Sequence, residues 1–463
     1  MNQFETWNPS TNEKLNIYKY MSDNDVQQKI QKLETSFDTW KKMSVEQRII
    51  CLETFKHNLR SSIPVLAEII TQTMGKPLVE AKLEIEKCVS QFDYYIEKGP
   101  ALVLEQNFPA HYAQMQVRFL PMGIIFSVMP WNYPVWQFFR FAVGAWLAGN
   151  VILLKHSEIT TEVGLFLENL VVKSLDPVLL QTVLLDPTQA EFVFAHKSIR
   201  AVTFTGSSRV GRRIGELSGR YLKKAVLELG GNDAFVVDES ADIVNAAKVA
   251  VAARLVNNGQ SCIASKRFFI PKRNVHTFMN LVNEEIKNYT IGHPTDKKVK
   301  LGPLAHKKFF IEYHEHIQFL KKVAAHVTDK MSIPDSSGYF VSPFFFLIED
   351  SMFQKESNVY HFFQTQEVFS PVGMVLAYEN EQDWPALVNE SPYGLGAVWM
   401  GDREKFNKQQ LHLKFNVGML AVNDVLKSDP RVPFGGVKDS GFGRESGEFG
   451  IREFCNIQSL GIK

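Results

Sequence analysis

Cysteine is scarce in this sequence, and the few residues present are far apart. Four occur in 463 residues: Cys51, Cys88, Cys262 and Cys455. There is no CxxC pair and no metal-ligand spacing. That excludes a disulfide-stapled secreted scaffold and a thiolate metal site, and leaves reduced thiols in a reducing compartment. An excess of either charge is missing too, since 51 Lys and Arg face 50 Asp and Glu. Nothing marks a nucleic-acid footprint, so a small-molecule ligand is expected. Long apolar runs are absent. The stretch from Phe141 to Leu154 is interrupted by Gly144, Gly149 and Asn150 and is too short to cross a bilayer. Residues 1–10 are polar and acidic with no apolar core, which argues against secretion and for a cytoplasmic protein.

What is there reads as a large α/β protein. Hydrophobic residues make up 45% and charged residues 22%, and the length calls for two or three domains. Val26, Ile30, Leu33, Phe37 and Trp40 keep a helical period behind the polar start Ser22-Asp23-Asn24. Ser44 and Gln47 form a capping-box pattern ahead of a second helix. From about residue 120, short apolar runs alternate with helical segments: 124–128, 151–154, 182–185, 201–204 and 234–237. That alternation predicts βαβ units and a parallel sheet covered on both faces. A helix over 275–287 and a strand over 372–378 predict a second α/β domain, with the boundary near 228.

Five segments carry chemistry, and each taken alone also fits a structural role. Asn257-Asn-Gly-Gln-Ser-Cys262 places a thiol after a glycine turn, where a backbone N–H lies beside the sulfur; a buried structural cysteine fits equally. Leu227-Glu-Leu-Gly-Gly-Asn232 sets Glu228 among apolar residues, where burial raises a carboxylate toward the pKa of a neutral-pH base. Pro130-Trp-Asn-Tyr-Pro134 follows a strand, so the Asn132 amide is placed to donate to an oxyanion, or merely to make a turn. Phe204-Thr-Gly-Ser-Ser-Arg-Val-Gly211 runs from a strand into a helix, whose N-terminal N–H groups near Gly206 and Ser207 suit a pyrophosphate. It matches neither the P-loop nor the GxGxxG pattern. Lys155-His-Ser-Glu158 ends a strand where ligands dock in open α/β sheets, so Lys155 and Glu158 are placed for ribose hydroxyls or form an exposed pair.

In this order the motifs resemble the aldehyde dehydrogenase superfamily, over nearly the whole chain. The resemblance extends through Glu367-Val-Phe-Ser-Pro371, Tyr393-Gly-Leu-Gly396, Gly418-Met-Leu-Ala-Val-Asn423 and Pro433-Phe-Gly-Gly-Val-Lys-Asp-Ser-Gly-Phe-Gly-Arg444. It implies Cys262 as the nucleophile, Glu228 as the base for deacylation and Asn132 as the oxyanion donor. It implies cofactor contacts at Trp131, Lys155, Glu158, Gly206, Ser207, Glu367 and Phe369, with no metal. Two departures stand out: Lys-His-Ser-Glu where the family has Lys-Pro-Ser-Glu, and Phe-Ser-Pro where it has Phe-Gly-Pro. The implied architecture is a dinucleotide-binding parallel-sheet domain (1–104 and 122–227), a catalytic α/β domain (228–428) and an oligomerisation arm (105–121 and 429–463). A homodimer or homotetramer follows from the same resemblance.

The substrate side rests on Asn132, Trp136 and Arg140, whose spacing of four and four predicts one helical face about 12 Å long. An arginine there suits the far carboxylate of a short ω-semialdehyde. Arg140 also matches an arginine that succinate-semialdehyde dehydrogenases use, although Val256 stands where some of them carry a second one. Oxidation of succinate semialdehyde to succinate is therefore expected. NAD is favoured, because Glu158 at the ribose repels a 2′-phosphate, and NADP stays open. The alternatives are another small aliphatic or amino aldehyde, a CoA-acylating relative, and a non-catalytic binding protein.

Overall fold

The computed structural model describes residues 3–109, 112 and 114–463. Residues 1 and 2 of the polar start, and 110, 111 and 113 of the expected arm, lie outside the described residues. Two sheets organise the chain. The first has six strands in the order Gly441–Phe442, Lys224–Glu228, Ile199–Thr205, Ile124–Met129, Val151–His156 and Leu180–Thr182. All run parallel except the short first one. The second has seven, in the order Ala324–Val327, Phe344–Ile348, Val372–Tyr378, Arg267–Pro271, Ala234–Val237, Gly396–Met400 and Met419–Val422. It is parallel apart from Ala324–Val327. This is the expected α/β class. Central strands such as Val151–His156 and Ala234–Val237 are buried almost throughout, which is why they read as apolar runs without alternation.

The chain leaves the first sheet at Glu228 and enters the second at Ala234. A third, three-stranded antiparallel sheet joins Gln106–Phe108, Gln114–Pro121 and Cys455–Ile462. Less of the C-terminal region belongs to it than the 429–463 arm supposes. Val437–Lys438 pairs with Tyr393–Gly394, and Gly441–Phe442 pairs with Lys224–Glu228, so this stretch walls the space between the two large sheets. The strand expected over 182–185 lies earlier, at Leu180–Thr182. Past Val183, whose N–H still reaches Leu154 O at 2.8 Å, the chain turns away toward Asp186-Pro187.

The first two helices, Asp23–Trp40 and Val45–Ser61, both open with capping boxes, Ser22 with Asp25 and Ser44 with Gln47. They pack as core elements. Of greater consequence is the helix Trp136–Leu147, every residue of which is buried. It has no N-cap side chain of its own. Glu84, from the helix Leu78–Leu102, replaces one: its Oε1 accepts Val135 N at 2.9 Å and Trp136 N at 3.0 Å. Its other oxygen takes the Lys76 ammonium, and both side chains are almost wholly buried. Asn132 consequently lies outside the helix, in the turn before it. Pro134 disfavours helical backbone at the preceding residue, and the Asn132 carbonyl is already taken by Asn257 Nδ2 at 2.8 Å. The single face expected for Asn132, Trp136 and Arg140 therefore holds only for the last two.

Glu84→Ala strips the helix of its cap and leaves the buried Lys76 ammonium without its ion-pair partner. A loss of about 3–5 kcal/mol is expected, read as a lower urea midpoint for the first unfolding transition; an unmoved midpoint contradicts this reading.

Candidate active site

Cys262 sits at the end of a loop that the chain holds in an unusual conformation. Asn257, Asn258 and Gly259 have φ of 50°, 56° and 72°, three consecutive left-handed residues. Asparagine tolerates that region better than other side-chain-bearing residues, and glycine adopts it freely. Gly259 has a second reason: a Cβ there would fall 2.5 Å from the Ser370 carbonyl carbon. Two buried cations keep the loop in place through its carbonyls. Arg254 donates to Gly259 O at 2.5 Å and to Ser265 O at 2.8 Å. Lys266 Nζ donates to Ser261 O at 3.1 Å and to Cys262 O at 2.5 Å. Burial pushes the Cys262 thiol up to about 12, against the pull of the Arg140 and Lys266 charges. The other cysteines differ from it in setting: Cys88 and Cys455 are buried and Cys51 is half-buried on a helix.

Asn132 faces this loop. Its Nδ2 donates to Gln260 O at 3.0 Å, which leaves the second N–H of the amide uncommitted. The Cys262 backbone N–H donates to no other group among the described residues. The histidine that replaces the family's proline explains itself here. His156 is buried, with Nε2 2.9 Å from Pro134 O and Nδ1 2.9 Å from the Thr160 hydroxyl. A carbonyl only accepts, so Nε2 carries the proton and Nδ1 accepts from Thr160. Burial lowers its pKa to about 4, so the ring is neutral and ties the strand end to the Asn132 turn.

Glu228 lies behind the loop, buried, and neither carboxyl oxygen has a hydrogen-bond partner among the described residues. Burial holds it well above the usual carboxylate range; the Glu445 charge adds to this and the Arg140 and Arg444 charges oppose it. Gly435 makes room for it, since a Cβ there would lie 2.6 Å from Glu228 Oε1. Arg140 is also buried, but it is not free. Its Nε donates to Glu445, and its guanidinium carbon lies 3.9 Å over the Phe434 ring. Nη2 is buried without a partner. The charges of Glu445, Glu228 and Cys262 all bear on it, so thiol, carboxyl and guanidinium share one buried neighbourhood.

A cleft of about 1080 Å³ opens in front. Trp131, Asn132, Lys155, Glu158, Gly206, Ser207, Cys262, Glu367 and Phe369 all line it, which brings every expected cofactor residue into one cleft with Cys262. Glu228, Trp136 and Arg140 do not line it. The residues present fit a nicotinamide dinucleotide. Thr205 Oγ1 is buried without a partner at the strand end. The helix Ser208–Arg220 that follows takes no side-chain cap, so its first N–H groups suit a diphosphate. Glu367 Oε1 accepts Gly231 N at 3.0 Å and lies 3.9 Å from Lys266 Nζ. Trp131 meets Phe309 at 4.6 Å and Phe369 edge-on at 5.7 Å.

The model of the aldehyde dehydrogenase family matches residues 1–460. A protein of Mycobacterium leprae named succinate-semialdehyde dehydrogenase (NADP+) is 34% identical over 99% of both chains. One of the same name from Deinococcus radiodurans is 34% identical over 98% of this chain and 93% of its own. The structure of a succinic semialdehyde dehydrogenase from Streptococcus pyogenes in complex with NADP+ superposes with a TM-score of 0.93, at 30% identity over 99% of each chain. This chain belongs to the aldehyde dehydrogenase family. It is an NAD(P)-dependent aldehyde dehydrogenase, and no helix among its described residues is long and apolar enough to cross a membrane.

Several residues that shape the site of this aldehyde dehydrogenase escaped sequence reasoning. Arg254 and Lys266 stand in otherwise apolar or small-residue text, and a cation there is a signal in itself, since a lysine or arginine is seldom buried unpaired. Tyr20, whose hydroxyl donates to Glu158 Oε1 at 3.0 Å, and Glu445 carry no local pattern at all. Lys266→Met removes one of the two cations that lower the Cys262 pKa. The pH profile of Cys262 alkylation by iodoacetamide is then expected to move to higher pH in the folded variant, and an unmoved profile counts against the arrangement.

Proposed function

We propose that this enzyme oxidises succinate semialdehyde to succinate with NADP+ through a thioester on Cys262. The observation that carries this is the buried grouping of a thiol, a carboxyl without hydrogen bonds and one guanidinium at the end of a dinucleotide-sized cleft. Cys262 gives its thiol proton to water in the cleft, the sulfur adds to the aldehyde carbon as the carbonyl electron pair moves onto oxygen, and the oxyanion so formed accepts from the free N–H of Asn132 and from the Cys262 backbone N–H. Lys155 and Glu158 would hold the adenosine ribose, Gly206 and Ser207 the diphosphate, and Trp131, Glu367 and Phe369 the nicotinamide ribose. The cofactor, when bound, supplies the hydride acceptor. The acyl group then stays on sulfur until Glu228 takes a proton from water, the water oxygen bonds to the acyl carbon, and the C–S bond breaks. A carboxyl raised in pKa by burial is a stronger base than an exposed one, so turnover is expected to climb with pH as Glu228 ionises.

For the substrate, the relatives named above point to a four-carbon semialdehyde, and Arg140, whose charge bears on Cys262, keeps Nη2 without a hydrogen-bond partner. The expectation of NAD from Glu158 weighs less once its surroundings are known. Its carboxylate already accepts from Tyr20, Lys155 Nζ lies at 3.9 Å, and the side chain is 41% exposed, so its repulsion of a 2′-phosphate is compensated and screened. Arg209 adds a cation to the same cleft. Self-association through the arm, as a dimer or tetramer, is supported by the edge strand Cys455–Ile462, which exposes Ile457 and Ile462. CoA-dependent resolution of the thioester is disfavoured by the carboxyl at hand.

Steady-state rates over aldehydes of two to six carbons, with and without a terminal carboxylate, test the reading. Succinate semialdehyde is expected to exceed butanal in kcat/KM by at least about ten-fold, which is about 1.4 kcal/mol, with NADP+ ahead of NAD+ and no dependence on CoA. Equal rates for the two aldehydes refute the substrate.

A further inference from the structure

Arg140 is an incomplete answer to how an anionic substrate is held. Its charge is matched by Glu445, so the pair brings no net positive charge to the buried site. A neighbouring cation does. Lys87, half-buried on the helix Leu78–Leu102, places Nζ 4.1 Å over the Trp136 ring and 2.7 Å from the Ser428 hydroxyl. No carboxylate among the described residues lies within 4.0 Å of it. The two nearest acids are both committed elsewhere. Glu84 is taken by Lys76 and by the start of the helix Trp136–Leu147. Asp429 is held bidentately by Arg431, at 2.6 and 2.8 Å. Burial, with Arg140 nearby and Glu84, Asp429 and the Cys88 thiol opposing it, lowers Lys87 to about 8.

The donors around it are also unfilled. Trp136 Nε1 is buried without a partner, and so is Arg140 Nη2 one helical turn along the same face. An ammonium, an indole N–H and a guanidinium N–H thus lie in one neighbourhood, and among these donor atoms only the ammonium has a hydrogen-bond partner, the Ser428 hydroxyl. We infer that Lys87, together with Trp136 Nε1 and the Ser428 hydroxyl, anchors the far carboxylate of the semialdehyde, while Arg140, neutralised by Glu445, contributes a directed hydrogen bond. This rests on the proposed function, in that the substrate must carry a carboxylate. The ammonium sits on one face of the Trp136 ring, so a carboxylate bound to it is fixed at the edge of that ring, with the aldehyde end toward Asn132.

The test compares Lys87→Met and Lys87→Arg with the wild type on succinate semialdehyde and butanal. Methionine keeps the packing on Trp136 and loses the charge. The ratio of kcat/KM for the two aldehydes is expected to fall at least about ten-fold in Lys87→Met, through KM for the semialdehyde, and to return to within about three-fold in Lys87→Arg. A wild-type ratio well above one that persists in Lys87→Met overturns the anchor and leaves the proposed function standing. A wild-type ratio near one overturns both. Should Lys87→Met express poorly, succinate protection of Cys262 from iodoacetamide in Lys87→Arg and Lys87→Gln reads the same site: protection kept in the arginine variant and lost in the glutamine variant is expected, and equal protection in both overturns the anchor.

Discussion

Two buried cations that spend their hydrogen bonds on backbone carbonyls hold this site together. Arg254 and Lys266 between them bind the carbonyls of Gly259, Ser261, Cys262 and Ser265, on both sides of Cys262 in the chain. A buried guanidinium or ammonium without such bonds is costly, so the loop and the cations stabilise each other. Turning the carbonyls inward leaves the Cys262 N–H and the Asn132 amide facing the cleft. The left-handed residues 257–259 are the conformational cost of that orientation, and Asn257 offsets part of it by bonding Asn132 O and Gln260 O.

The same economy governs the acid–base side. Glu228 has no hydrogen-bond partner, is flanked by Gly435, where no side chain intrudes, and is surrounded by an even mixture of charge from Arg140, Arg444, Glu445 and Glu453. A carboxyl so placed is neither pinned by a salt bridge nor solvated, and burial holds its pKa well above the usual carboxylate range. Arg140 links the halves, because its charge acts on Glu228, Glu445 and Cys262 together. Removing charge at any of these positions is felt at the others.

Local grammar made the fold legible. Ser22 and Ser44 announced the first two helices, and the runs at 124, 151, 201, 234 and 372 became strands of two parallel sheets. Cys262, Glu228 and Asn132 stood out only together, since each segment alone also fits a structural role and the order of the motifs along the chain singled them out. Trp136 and Arg140 were visible too, but periodicity placed Asn132 on their helix, and only Glu84, a cap from 51 residues away, shows where that helix starts. The partners were not legible. Glu445 lies 305 residues from Arg140 and Ser428 lies 341 from Lys87, and no pattern in one sequence ties such positions. His156 shows the opposite case: a departure from the family pattern, visible in the sequence, joins the strand end to the Asn132 turn.

Everything in the account passes through one bond between Cys262 sulfur and the substrate's carbonyl carbon. The most direct test is the intact mass and peptide map of Glu228→Gln after brief mixing with succinate semialdehyde and oxidised cofactor. The account predicts one succinyl group per chain on the peptide that contains Cys262, lost on treatment with hydroxylamine and absent without cofactor. Folded, cofactor-binding protein that carries no such adduct, or carries it on another cysteine, would contradict it.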